Sequence, residues 1–185
     1  MDAIELLETR ASNGKLTDPA PDAETLSAIV EAALRAPDHG ALRPYFVLEL
    51  RGEALERLGA IFRDALARRS PDAEEAQLER EARKPLRAPL MLIVVCRPEE
   101  HPGAPEIEQI LTAGAVVHGI LLGLQARGFA GMWRTGDGAY DPTVKAALGL
   151  EATDHVVGFL YCGTASQPAP SMERPRAIDF LRPWP

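Results

Sequence analysis

Three short stretches of this sequence gather side chains able to grip an anion or a polar ligand. T9-R10-A11-S12-N13-G14-K15 sets Arg10, Ser12 and Lys15 around a glycine. Guanidinium and hydroxyl donors at that spacing suit phosphate oxygens, which arginine engages through two parallel N–H groups. R35-A36-P37-D38-H39-G40, ahead of R43-P44-Y45, carries Arg35 and His39 around the end of a predicted helix. W133-R134-T135-G136-D137-G138 places Trp133, Arg134 and Thr135 where a predicted strand runs into a glycine-containing loop, a frequent site of ligand contact. Each stretch also has a plainer explanation. Cations at a helix C-terminus complement its dipole, Asp38 and His39 can close local turns, and Trp133 can be ordinary core. Ser12 with His39 would make a hydrolase pair, with no orienting acid nearby beyond Asp38.

Other chemistries are excluded by inspection. The chain has no G-x-S-x-G, H-E-x-x-H, G-x-x-x-x-G-K-[ST] or G-x-G-x-x-G. His39, His101, His118 and His155 lack ligand spacing to one another and to Cys96 and Cys162, so no metal is expected. Both cysteines lie in apolar runs without a C-x-x-C, which reads as buried thiols in a reducing cytoplasm. A formal net charge of -7 argues against nucleic acid as a partner, because a phosphate backbone would be repelled. The N-terminus has no signal architecture, and the nearly uncharged run from Ile110 to Ala126 contains His118 and Gln125. It falls short of the roughly 20 apolar residues of a membrane span, so no membrane partner is expected.

The elements that must position these side chains follow from pattern. The 185 residues suit one domain. Asp2 and Glu5 open a helix that ends before Asn13-Gly14. Asp22 caps a second, with Leu26, Ile29, Val30 and Ala33 on one face and an end near Pro37. Tyr45 to Leu50 is a predicted strand, and Leu55, Leu58, Phe62 and Ala65 mark a third helix. Ser70 to Lys84 reads as a solvated helix. L-M-L-I-V-V-C, from Leu90 to Cys96, suits a central strand buried on both faces. Glu106 to Arg127 is a helix apolar on nearly every side, with Gly114, Gly119 and Gly123 along it. In so small a chain, burying it all round suggests a partner subunit. Phe129 to Trp133 and Val156 to Cys162 are further strands, separated by a helix capped by Asp141-Pro142 and stopped at Gly149. The proline-rich tail, 167–185, is expected to run extended over a surface. Scattered strands between long helices favour an α+β fold with a mixed sheet.

Taken in order and spacing, R10-A11-S12, A36-P37-D38-H39 with P44-Y45, G131-M132-W133-R134-T135-G136 and V157-G158-F159-L160-Y161-C162-G163-T164 resemble the FMN-dependent nitroreductase family over essentially the whole chain. The resemblance implies a homodimeric α+β fold with the long apolar helix at the dimer core and FMN in the interface. It implies that Arg10, Ala11, Ser12 and Lys15 contact FMN, together with Trp133, Arg134 and Thr135. Arg35 and His39 are expected to reach the flavin of the other subunit. No side chain is assigned as catalytic, because the chemistry belongs to FMN. NAD(P)H is the implied cosubstrate in a ping-pong cycle, with a nitro compound, quinone or similar small molecule as electron acceptor. An FMN carrier or sensor without significant reductase activity is the alternative. Two positions depart from the family pattern: Ala11 replaces a second arginine, and Gly14 stands where a basic residue is usual. Gly119 is assigned to the dimer seam, where leucine would overpack it.

Overall fold

The computed structural model describes residues 2–171 and 174–184. Three carboxylates start helices as their spacing implies. Asp2 accepts from the Ile4 and Glu5 amides at the head of α1 (Ala3–Thr9). Asp22 accepts from Thr25 N–H at 2.8 Å to begin α2 (Ala23–Ala33). Asp141 accepts from Thr143 N–H at 2.8 Å ahead of α6 (Pro142–Ala147). Each supplies an acceptor to amides that have no partner in the first helical turn. Between them lie α3 (Glu53–Arg69), α4 (Glu75–Ala82) and the 21-residue α5 (Glu106–Ala126).

The strands are β1 (Leu16–Thr17), β2 (Tyr45–Arg51), β3 (Leu90–Cys96), β4 (Ala130–Arg134) and β5 (His155–Ala165). They form one sheet in the order β1-β5-β3-β2, with β4 also paired to β5. Every pairing among the described residues is antiparallel, so the sheet is not the mixed one expected, although the α+β class holds. β3 is wholly buried because both faces of the sheet are covered. Met91, Ile93 and Val95 point toward Leu55, Leu58 and Phe62 of α3 and Val144 of α6. Leu90, Leu92 and Val94 point toward Ile29 of α2 and Val116, Ile120 and Leu124 of α5. The alternation of strand side chains thus splits one apolar run into two cores.

Helix α5 is long and apolar enough to cross a membrane by length and composition alone, more than the sequence reading allowed. Here it lies against the sheet. Only 44% of its most apolar window is buried inside the chain, and Ile107 and Leu111 are 59% and 64% exposed on its outer side. Gly119 does not belong to that outer side, contrary to expectation. A Cβ there would sit 3.0 Å from Ala33, and one at Gly123 would sit 2.9 Å from the Ile29 side chain. Both glycines let α2 approach α5 within the chain. Gly114 is the one with open space beside it. The tail beyond Ser166 carries only a short 3-10 turn at Ala177–Asp179 among its described residues. Met172, Glu173 and Pro185 of the expected extended segment lie outside them.

Candidate functional site

The segment after α1 is fixed from two sides. Ala11 N–H donates to Gln125 Oε1 of α5 at 3.2 Å, and the same amide donates through Nε2 to Thr9 Oγ1 at 3.0 Å. Asn13 is 4% exposed and makes three bonds. Its backbone N–H donates to Gly131 C=O at 3.0 Å, its Nδ2 to Gln167 C=O at 2.7 Å, and its Oδ1 accepts from Lys15 N–H at 2.9 Å. A buried amide with all these partners is costly to lose, so the loop holds one shape. Sequence reasoning passed over Gln125 and Asn13, since a lone polar residue in an apolar helix or a turn carries no pattern.

This loop lines a concavity of about 640 Å³ with Ser12, Lys15, Arg87, Met132 and Arg134. Arg10 joins it by donating from Nη1 to Ser12 Oγ at 3.3 Å. The missing side chain of Gly14 is used: a Cβ there would lie 3.2 Å from Met132 Sδ and 3.5 Å from an Arg134 guanidinium nitrogen. Arg134 from β4 therefore reaches the spot where the family pattern has a basic residue on the loop. A smaller concavity of about 130 Å³ adjoins it, lined by Phe62, Glu81, Lys84, Thr135, Asp137 and Tyr161 among others, with Arg87 and Arg134 common to both. Arg10, Lys15, Arg87 and Arg134 have no ion-pair partner among the described residues. Lys15, Arg87 and Arg134 line the larger hollow with no carboxylate in its described lining, and an anion there would relieve their mutual repulsion. The donor set fits a phosphate, and the adjoining aromatic walls fit a flat ring.

Other expected residues lie apart. Ala11 faces a separate hollow with Leu121, Gln125 and Phe129. Trp133 alternates with Met132 and Arg134 along β4 and so projects from the opposite face, its indole N–H donating to Val157 C=O at 3.0 Å. Gly158 makes room for that ring, since a Cβ there would fall 2.1 Å from Trp133 Nε1. Arg35 is exposed just past α2. His39 lies with its Nδ1 2.6 Å from Glu108 Oε2, in a hollow with Leu111 and Ala115 on the outer side of α5. The backbone there is strained, with positive φ at Gly40, Ala41 and Arg43. Within one chain Ser12 and His39 line different hollows and are engaged by Arg10 and Glu108, so the nucleophile and base of a hydrolase do not meet.

The remaining ionisable groups are structural. Burial pushes the Cys96 thiol up to about 11 and the Cys162 thiol up to about 12, which keeps both protonated and unreactive. Asp154 is fully buried and meets Arg97 in a bidentate pair at 2.8 and 2.6 Å. That guanidinium holds its carboxyl below the usual range. No cluster suited to a metal ion occurs among the described residues.

Residues 7–164 match the model of the nitroreductase family. Two relatives carry the name "Putative NAD(P)H nitroreductase". YdjA of Escherichia coli (strain K12) is 37% identical over 185 residues, spanning 100% of this chain and 97% of its own. A protein of Haemophilus influenzae is 38% identical over 170 residues, 91% of each chain. Among solved structures, a nitroreductase-like protein from Bacillus cereus superposes with a TM-score of 0.84 at 20% identity, covering 100% of this chain and 96% of that one. The FMN-dependent nitroreductase NfnB of Mycobacterium smegmatis, solved with NADPH, gives 0.78 at 18% identity over 99% and 98%. These two likenesses are of fold.

Proposed function

The chain belongs to the nitroreductase family, and from that membership we propose that it is an FMN-dependent oxidoreductase passing electrons from NAD(P)H to a nitro compound, a quinone or a similar small acceptor. The observation that carries the reading is the concavity lined by Ser12, Lys15, Arg87 and Arg134 with no carboxylate in its described lining, while Arg10 donates to Ser12. Ser12, Lys15 and Arg10 would hold the phosphate, while Thr135 and the Gly136 backbone border the neighbouring hollow where a ring would lie. Bound FMN supplies the hydride-accepting and electron-donating chemistry. The protein's own part is to fix the ring, balance its charge and leave one side open to each reactant in turn.

The reading includes a homodimer, supported by apolar surface that one chain leaves uncovered. Ile107 and Leu111 form an exposed row on α5, and Ile178, Phe180, Leu181 and Trp184 stand out from the tail. A second copy covering the α5 row would also meet His39, which shares that hollow with Leu111. His39 and the nearby Arg35 would thereby be delivered to the neighbour's flavin. The test is anaerobic mixing of the purified, FMN-loaded protein with NADPH, followed by absorbance near the flavin band. The expected result is bleaching, reversed by a nitroaromatic or a quinone. A protein that binds FMN yet stays yellow through mixing is a carrier or sensor, and one that never takes up FMN refutes the reading altogether.

A further inference from the structure

Each of the two acids in the first turn of α5 holds an imidazole, and the two rings are held by different nitrogens. Glu106 Oε1 lies 2.7 Å from Nε2 of His155, the first residue of β5. Glu108 Oε2 lies 2.6 Å from Nδ1 of His39. Asp38, the carboxylate next to His39 in the chain, is committed to its own turn: Oδ2 accepts from Arg43 N–H at 2.7 Å and the carbonyl from Ala41 N–H at 3.1 Å. Ala41 and Arg43 in that turn have φ of 54° and 52°, a backbone that persists only where its surroundings hold it. His101 lies against the same turn, its Cε1 3.8 Å from where a Cβ on Gly40 would stand. The stem of His39 is thereby fixed, while its side chain is 58% exposed and Nε2 has no hydrogen-bond partner among the described residues.

Building on the functional reading above, we propose that Glu108 is a positioning residue for His39: it keeps the ring proton on Nδ1, so that Nε2 offers a lone pair to an N–H or O–H donor of the neighbour's flavin. A carboxylate oxygen at 2.6 Å needs a donor on the nitrogen it faces, and a neutral imidazole has one proton to give. With that proton on Nδ1, Nε2 is an acceptor. It is also the ring nitrogen farther from the backbone, the one better placed to reach across a seam between two chains. His155 is held the other way round, by Nε2, and leaves only its inner nitrogen free. Nothing else in the hollow of about 500 Å³ can take over from Glu108: besides the committed Asp38, its lining of Pro37, Leu111, Thr112 and Ala115 offers a single side-chain hydroxyl. Without the carboxylate the ring is free to move its proton to Nε2, which turns the acceptor into a donor.

The experiment reads the ring nitrogens of His39 by long-range 1H–15N NMR on the full chain at pH 8, with and without FMN, and FMN affinity by fluorescence quenching. The proteins are the wild type, Glu108→Ala, Glu108→Gln, His39→Ala and the double variant Glu108→Ala/His39→Ala. Glu108 is exposed at the start of its helix, so its variants are expected to melt with the wild type. The wild-type ring should carry its proton on Nδ1 alone. Glu108→Ala should lose that preference and weaken FMN binding by about tenfold, whereas Glu108→Gln, whose amide oxygen still accepts, should keep most of both. The double variant should bind within about twofold of His39→Ala, because Glu108 acts through the ring it holds. A wild-type ring with a proton on Nε2, alone or together with Nδ1, overturns the assignment. So does a Glu108→Ala effect that is absent, or that adds in full to that of His39→Ala, which would make Glu108 a purely structural group. If the wild type takes up no FMN, the functional reading fails and the flavin contact with it, while the spectrum of the free protein still shows whether Glu108 sets the tautomer.

Discussion

Arg134 does two jobs with one side chain: it fills the gap beside Gly14 and it stands at the junction of the two hollows. Arg134→Ala should therefore weaken FMN binding by about 10- to 100-fold, the worth of one charge-assisted hydrogen bond. Fluorescence quenching titration checks this, and an affinity within twofold of wild type would show that the guanidinium does not reach the cofactor. Gly14→Lys, which restores the family's usual residue on the loop, should not compensate in the wild-type background. Its Cβ would press on the Met132 thioether and its side chain would have to share the space beside Arg134. A different residue, Asp154, carries a pH signature of the fold. Its folded proton affinity is lowered mainly by the hydrogen-bonded Arg97, so the stability it adds is present above its unfolded value and lost as pH falls through the folded one. Asp154→Asn should lower Tm by about 4–10 °C at neutral pH, from about 2–3 kcal/mol lost. That gap should close as the pH drops below about 4, read by scanning calorimetry at several pH values.

At the scale of elements, α5 is where the sequence was hardest to read. Its apolar residues run round the whole circumference, so no periodicity told which side faces inward. The structure settles this with glycines: Gly119 and Gly123 face α2, and Gly114 faces outward. Gly119→Leu should accordingly cost about 1–3 kcal/mol by forcing α2 away, seen as a fall in Tm. Gly114→Leu should leave the fold's packing within a single chain intact. Elements with a local chemical signal were legible. The caps at Asp2, Asp22 and Asp141 and the wholly buried β3 all appear where expected. Strand β1 was not, because two residues pairing with Thr164 and Ala165 have no period to detect. Nor was Arg87, which joins residues 12–15 and 134 through the meeting of β1, β3 and β4 around β5. The α+β class could be read from the order of elements, but strand direction could not. A buried apolar run looks the same in parallel and antiparallel neighbours when helices cover both faces.

For the whole molecule, the question is what covers the outer row of α5 and the apolar tail. Trp184 is 95% exposed and Leu111 is 64% exposed, and Ile107, Ile178, Phe180 and Leu181 stand exposed on the same two segments. Leu111→Arg should break the proposed dimer by placing a charge in an apolar seam, shifting sedimentation from the dimeric to the monomeric species. Its Tm per chain should change little compared with its loss of association. Sedimentation velocity at micromolar concentration reads this directly, and a variant that still sediments as a dimer would place the seam elsewhere.

Gln125 hooks the backbone of Ala11 from the C-terminal end of the same helix whose N-terminal half carries Leu111. If the outer flank is what a second copy grips, pigment and pairing obey one mass-action law. A concentrated stock would then be yellow, and serial dilution past the point of separation would let the dye escape into the buffer. Added free flavin, in turn, would pull separated chains back together.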